Sequence, residues 1–182
     1  MNFQTNTIPG CVEIIPDIFT DERGRFIKTF HRDTFIHSGL EIDWREEYYS
    51  TSHKGVLRGF HFQLPPHDHA KLVYCTAGEV LDVVLDLRTG SPSFGTYSMF
   101  QLNGTTAHMV YIPKGCAHAF YTLSEQATMM YKVSTIYAPA HDSGLLWNSV
   151  GVPWPNESPI MSDRDKAFPT LADFTTNSFN YR

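Results

Sequence analysis

Apolar and polar residues alternate along most of the chain in short runs, and turn-forming residues separate the runs. CVEIIP, RFIKTFH, EEYYSTS, VLRGFHF, KLVYC, EVLDVVLDL, TYSMFQL, HMVYIP, HAFYTL and ATMMYKVSTIY are rich in β-branched and aromatic residues and predict strands. Two of them assign faces. In MMYKVSTIY, Met130, Lys132, Ser134 and Ile136 point one way, and Tyr131, Val133, Thr135 and Tyr137 the other. In VLRGFHF, Leu57, Gly59 and His61 share one side, and Arg58, Phe60 and Phe62 the opposite one. DERG, TAGE, RTGSPSFG, LNGTT and IPKG mark turns. Only RDTFIHS and SDRDKAF read as helix, the second with Ser162 as N-cap and Asp165 at the capping-box position. Short strands, tight turns and no βαβ rhythm predict an all-β antiparallel sandwich or small barrel.

A length of 182 residues suits one domain over 1–182, without repeats or a linker, and with a weakly patterned tail from about residue 174. The net charge of -5 argues against nucleic acid or an acidic membrane surface as partner. A small anionic ligand held by a few cations stays open. Cys11, Cys75 and Cys116 are widely spaced and form no CxxC, so neither a disulfide framework nor a zinc motif is indicated. MNFQTNTIPG lacks the basic-then-apolar order of a signal peptide, and no apolar run is long enough to span a bilayer. A cytoplasmic setting is expected.

Candidate chemistry concentrates in LRGFHFQLPPHDHAK. A strand histidine such as His61 is either a satisfied core residue or, beside a carboxylate in a cavity, a general base. His67 and His69 follow two prolines and read as solvated loop residues. Their rival reading is a cupin-type metal site, with His118 of IPKGCAH as the distant ligand. No carboxylate follows His69 where a third ligand belongs, and the Lys71 cation lies close by, so no metal is assigned. Arg58 and Lys71 lie in apolar strands. They are either snorkelling charges or partners of an anionic ligand or developing oxyanion. Tyr131 read alone is a core tyrosine, and Asp165 a helix cap.

Several segments have a wording that is not generic. FTDERGRF (Phe19 to Phe26), GVLRGFHFQLPP (Gly55 to Pro66), KLVYCTAGEVLDVVLDLR (Lys71 to Arg88), GSPSFG (Gly90 to Gly95), IPKGCAHAFYTLSE (Ile112 to Glu125), YKVSTIY (Tyr131 to Tyr137) and MSDRD (Met161 to Asp165) follow one another in order. Through them the chain, from about Ile8 to Phe174, resembles the nucleotide-sugar 3,5-epimerases typified by dTDP-4-dehydrorhamnose 3,5-epimerase. The resemblance implies a cupin-type jelly roll that acts as a homodimer, without metal or cofactor, on a nucleotide-diphospho-4-keto sugar. It implies His61 as the base, Asp165 as its dyad partner, Tyr131 as the acid across the sugar ring and Lys71 as the enolate-stabilising cation. His118 belongs to the same pocket. Arg23 and Arg58 would hold the diphosphate and Phe19 line the nucleotide pocket, one side of which can come from the partner subunit. On this reading His67 and His69 stay in the loop.

The chain departs from the family pattern at several positions. Glu46 and Tyr48 stand in a stretch, residues 46–52, that commonly reads Q-x-N-x-S-x-S, and Lys28 and Asp142 stand where glutamate is frequent. Ala119 replaces the glycine of AHGF, and Ser149 the aspartate of WND. These changes are expected to lie away from the proton-transfer groups and to alter nucleotide or sugar specificity; a CDP-linked sugar would suit them. Three alternatives stand beside the epimerase. They are a metal-dependent oxygenase using His61, His67, His69 and His118, a non-catalytic sugar-nucleotide binding module, and a 3,4-ketoisomerase on the same fold.

Overall fold

A computed structural model describes residues 1–174 and 179–181. Of the expected tail, residues 175–178 and 182 lie outside the described residues. The strands form two main sheets. The larger runs β1 (Asn2–Thr5), β2 (Val12–Ile15), β10 (Met109–Ile112), β7 (Lys71–Ala77), β12 (Gln126–Val133) and β5 (Glu46–His53) in spatial order. The smaller runs β13 (Asp142–Gly144), β6 (Leu57–Gln63), β11 (Cys116–Thr122), β8 (Glu79–Asp86) and β9 (Tyr97–Asn103). Strands β3 (Ile18–Asp21) and β4 (Gly24–Ile27) make a separate hairpin. All these pairings are antiparallel. Two short helices, α1 (Arg32–His37) and α2 (Asp163–Lys166), complete the described elements. The all-β jelly-roll expectation holds.

Period-two alternation divides the apolar residues into three layers. Val73 and Cys75 of β7, Val110 and Ile112 of β10, and Met129 and Tyr131 of β12 meet Val84, Phe100, Leu102, Cys116 and Phe120 from the opposing sheet. That is the core between the sheets. Leu72, Tyr74, Met109 and Tyr111, on the outer face of the larger sheet, pack under Phe35 of α1. Phe60, Phe62, Val83, Leu85, Ala117 and Ala119, on the outer face of the smaller one, pack under Leu145, Val152 and Phe179. The tail therefore contributes a core residue, Phe179, that its weak patterning did not announce. Both faces of β7 and β11 are covered, which is why KLVYC and HAFYTL read as nearly continuous apolar runs.

Three observed features differ from the expected strands. β4 ends at Ile27, so the KTFH part of RFIKTFH is not strand, and β12 ends at Val133, short of Tyr137. β1, β3 and β13 are too short to show a period of their own. The largest difference lies in β6, where His61 pairs with His118 but Arg58 pairs with Phe120, so Gly59 and Phe60 together oppose Ala119. The extra residue resets the alternation and brings Arg58 to the same side as His61, where one expected them on opposite faces. Gly59 is needed there: with φ of 122°, any Cβ would lie 2.5 Å from the His118 carbonyl oxygen and 2.6 Å from Ala119.

The LDLRTGSPSFG motif is structural. The Asp86 carboxylate, fully buried, accepts from the Arg88 Nε at 2.8 Å and from the hydroxyls of Ser91 and Ser93 at 2.5 and 2.6 Å. It organises the turn between β8 and β9.

Candidate active site

Inward-facing positions of β5, β6, β7, β11 and β12 enclose a cavity of about 200 Å³ lined by Tyr48, Ser50, Arg58, His61, Lys71, His118, Phe120 and Tyr131. Beyond it lies an outer cavity of about 330 Å³ that shares Tyr48, His61 and Lys71 and adds Glu46, Gln63, His69, Tyr137, Asp142 and Arg164. Strand parity explains the gathering. Lys71 is in phase with Val73 and Cys75, Tyr131 with Met129 and Val133, and Tyr48 with Glu46 and Ser50.

His61 Nε2 donates to Asp165 Oδ1 over 2.9 Å. The helix carrying Asp165 is capped as the sequence suggests, with Ser162 Oγ accepting from the Asp165 amide. The carboxylate, however, is directed at His61 and accepts at 3.3 Å from the Gly59 amide through its other oxygen. Burial pushes this carboxyl up, but the His61 bond, the His61 charge and the Gly59 and Ser162 groups outweigh it and hold the pKa below the ordinary aspartate value. With Nε2 bonded to a carboxylate, Nδ1 is the ring nitrogen left as acceptor. The Phe168 ring meets the imidazole edge-on at 5.9 Å.

Lys71, 5% exposed, donates from Nζ to the His61 carbonyl oxygen at 3.1 Å. Burial lowers its pKa to about 8 against the opposing pull of Asp142 and Asp82. Tyr131 lies across β7 from the sheet's other inner strands and is buried; burial chiefly drives its phenol up, with Ser50 opposing. Its Oη is 3.4 Å from Ser50 Oγ. His118 Nε2 donates to Asp82 Oδ2 at 2.6 Å, making a second, buried histidine–aspartate pair. Arg58 Nε donates to Ser52 Oγ at 3.0 Å.

The outer cavity has its own network. Asp142 Oδ2 accepts from Tyr137 Oη at 3.1 Å and from Arg164 at 2.6 Å, while Glu46 accepts from the Tyr137 amide at 3.1 Å. His69 belongs here, and the expectation of a solvated residue is corrected. Gln63 and Thr135 both reach its Nδ1 at 3.2 Å, and its Nε2 is buried without a partner among the described residues. Burial, followed by the Lys71 and Lys114 charges, lowers its pKa to about 3. His67 stays in the loop and packs on His141. His61 and His118 each point Nε2 at a carboxylate, and His69 is held by Gln63 and Thr135. Among the described residues no three His, Cys, Asp or Glu side chains are grouped to hold a metal ion.

Not every expected residue reaches these cavities. Phe19 and Arg23 sit on the β3–β4 hairpin, 62% exposed at Phe19, and line a separate surface hollow with Arg25 and Phe26. Lys28 lines another, with Phe19 and His31. Ser149 clasps a loop by donating to the Leu146 carbonyl and accepting from the Leu171 amide. Nor do the departures all keep away from the expected proton-transfer groups, because Tyr48 stacks directly on Tyr131. Sequence reasoning missed Ser50, Asp82, Gln63, Tyr137 and Arg164. Asp82 had a legible signal, a carboxylate inside the apolar run EVLDVVLDL.

Fold and site together define a class: cupin-like jelly rolls with acid–base groups on the inner walls of the sandwich. Comparison with known proteins narrows it. A family profile described as dTDP-4-dehydrorhamnose 3,5-epimerase matches residues 5–173. The dTDP-4-dehydrorhamnose 3,5-epimerase of Shigella flexneri is 38% identical over 168 residues, 91% of this chain and 93% of its own. The crystal structure of dTDP-6-deoxy-D-glucose-3,5-epimerase from Legionella pneumophila, in complex with dTDP-4-keto-L-rhamnose, superposes with a TM-score of 0.94 at 34% identity, covering 100% of this chain and 98% of that one. A 3'-monoepimerase from Streptomyces bikiniensis in complex with dTDP-quinovose gives a TM-score of 0.87 at 35% identity, with 92% and 86% covered. The chain belongs to the dTDP-4-dehydrorhamnose 3,5-epimerase family, and is an isomerase of nucleotide sugars. No helix among the described residues is long and apolar enough to cross a membrane.

Proposed function

We propose that the protein inverts C3 and C5 of a dTDP-linked 4-keto-6-deoxy sugar. The observation that carries this reading is the His61–Asp165 pair at 2.9 Å, opening onto a cavity whose other walls are Lys71 and Tyr131. Protons beside a ketone are weakly acidic, so their removal needs a base and stabilisation of the enolate. His61 takes the proton through Nδ1, and the Asp165 carboxylate stabilises the imidazolium. The Lys71 ammonium faces the enolate oxygen. Tyr131 returns a proton to the opposite face, and exchange with solvent then resets both groups. Because the 4-keto group acidifies C3 and C5 alike, one set of residues serves both carbons.

The departures at Glu46, Tyr48 and Lys28 suit a changed sugar or nucleotide preference, but the named relatives act on dTDP sugars, which favours dTDP over the CDP-linked alternative. Arg58 and His118 complete the inner cavity, while Glu46 and Asp142 line the outer one, where the sugar's entry side would lie. A homodimer is part of the proposal. It would let Arg23 of the partner subunit and Phe19 of the partner subunit reach the diphosphate and base from the exposed hairpin. Three free cysteines fit a reducing, cytoplasmic setting.

The test is incubation with dTDP-4-keto-6-deoxyglucose in deuterated water, with NMR locating the label. Deuterium at C3 and C5 with inverted product is expected. Label at neither carbon overturns the reading, and CDP and GDP analogues run in parallel decide the nucleotide.

A further inference from the structure

Tyr48 stands directly opposite Tyr131 across the β5–β12 ladder. Opposed side chains on an antiparallel pair come within about 5 Å, close enough to interact as a unit. Here the two rings stack, with centroids 4.9 Å apart and planes inclined by 17°. Two residues further along the same face of β5, Ser50 Oγ lies 3.4 Å from the Tyr131 hydroxyl. His118 meets the Tyr131 ring edge-on at 6.1 Å and 72°. One strand therefore supplies both a flat support for the ring and an anchor for its hydroxyl.

That support is not a core contact. Tyr48 is 44% exposed and lines both cavities, so it forms part of the wall where the inner chamber opens into the outer one. Its own phenol is pushed up to about 12, by burial first and then by Glu46 and Asp142, and it stays neutral. It is the flat face of Tyr48, not its hydroxyl, that meets the Tyr131 ring. The Tyr131 phenol has to be aimed at one face of the enolate, and its hydroxyl bond to Ser50 is long. The stack is the contact that restrains the ring plane.

We infer that Tyr48 is a positioning residue for proton return: stacked on Tyr131, it holds the phenol in the pose that reprotonates the enolate, and so sets the balance between inversion and exchange without inversion. The inference rests on the epimerase reading above and deepens it. When Tyr131 is out of pose, an enolate formed by His61 is reprotonated by His61 on the face it left, which gives deuterium incorporation with retained configuration.

The experiment measures, in deuterated water with dTDP-4-keto-6-deoxyglucose, the ratio of inverted product to label retained without inversion, together with KM. An aromatic stack corresponds to a roughly three- to tenfold bias in population. Tyr48→Ala should lower the inversion-to-exchange ratio by about that factor while exchange persists. Tyr48→Phe, which keeps the flat face, should retain the wild-type ratio. Tyr48→Leu gives the same readout with apolar bulk but no flat face, should the alanine variant not fold. A raised KM with an unmoved ratio in the Ala or Leu variant makes Tyr48 a sugar contact only and overturns the inference. So does a Phe variant as impaired as the Ala one, since the hydroxyl would then be the acting group. Absence of any exchange in the unsubstituted protein instead sinks the epimerase reading, and this inference with it.

Discussion

The Nε2 of His61 and the Oδ1 of Asp165 meet at 2.9 Å although 104 residues separate them in the chain. The contact joins an inner strand of the smaller sheet to a four-residue helix, and a second bond, from the Gly59 amide, holds the same carboxylate against the same strand. The imidazole is thus fixed at one nitrogen by a carboxylate that is itself held to the same strand. Orientation of this kind is what the proposed base needs in order to act in one direction.

Replacing His61 by alanine should remove solvent exchange at both carbons, a loss of about 10²–10⁴ for one general base. Asp165→Asn should lower exchange while leaving the fold, because an amide oxygen can still accept from the Gly59 amide. Deuterium incorporation followed by NMR, beside a thermal melt, checks both. Near-normal exchange in His61→Ala would mean that the base is misassigned.

Lys71 predicts opposite pH trends for activity and stability. Its folded pKa of about 8 lies below the unfolded value of 10.5. Between those limits the unfolded chain binds the extra proton, so this group's contribution makes stability rise with pH. In the proposed mechanism the enolate needs the ammonium, so kcat/KM should fall as pH passes about 8. Lys71→Arg should flatten that alkaline limb, and Lys71→Gln should lower kcat by about 10²–10³ at neutral pH, the usual loss for one oxyanion partner. Parallel denaturant titrations and rate profiles read the two trends. A wild-type kcat/KM that is flat from pH 7 to about 9.5 argues against the ammonium role.

The strands whose patterns are longest were the most legible. β8 lies within its expected segment, and β7, β11 and β12 overrun theirs by only one or two residues, since each is buried along most of at least one face. Arg58 was put on the wrong face because a bulge adds a residue to β6 without changing its apolar character, and a period of two has no means of showing that. β13 has three residues, too few for any period. The site was legible only in parts. His61, Lys71 and Tyr131 stand out as polar residues in apolar strands, but local chemistry reads Asp165 as a cap, and it is one. Its second role depends on where the chain returns after β13, which only family resemblance suggested. His69 was misjudged because the prolines before it mark a loop, and a loop need not be solvated when Gln63 and Thr135 close over it.

The proposed dimer can be tested without a structure of the assembly. Arg23→Ala and His61→Ala damage different subunits' contributions to any one site if the hairpin crosses over. Each homodimer should be impaired, and a mixture, unfolded and refolded together, should regain exchange that neither shows alone. A mixture no more active than the average of the two would place Arg23 and His61 in the same subunit's site, or outside a shared one.

His69 predicts an acid limb to stability. Its Nε2 is buried and unpartnered among the described residues, and its folded pKa of about 3 lies well below the unfolded 6.5. From pH 6.5 downwards the unfolded chain takes up a proton that the folded one refuses. Stability present above pH 6.5 is therefore lost as pH falls towards about 3, at up to roughly 1.4 kcal/mol per pH unit for one proton. His69→Asn keeps an acceptor for Gln63 and removes the titrating ring, so its stability should fall less steeply between about pH 6 and 4, by close to one proton's slope. Urea titrations across that range measure the difference directly. Equal slopes in the two proteins would mean that His69 is protonated inside the folded structure, and that the loop opens to let it be so.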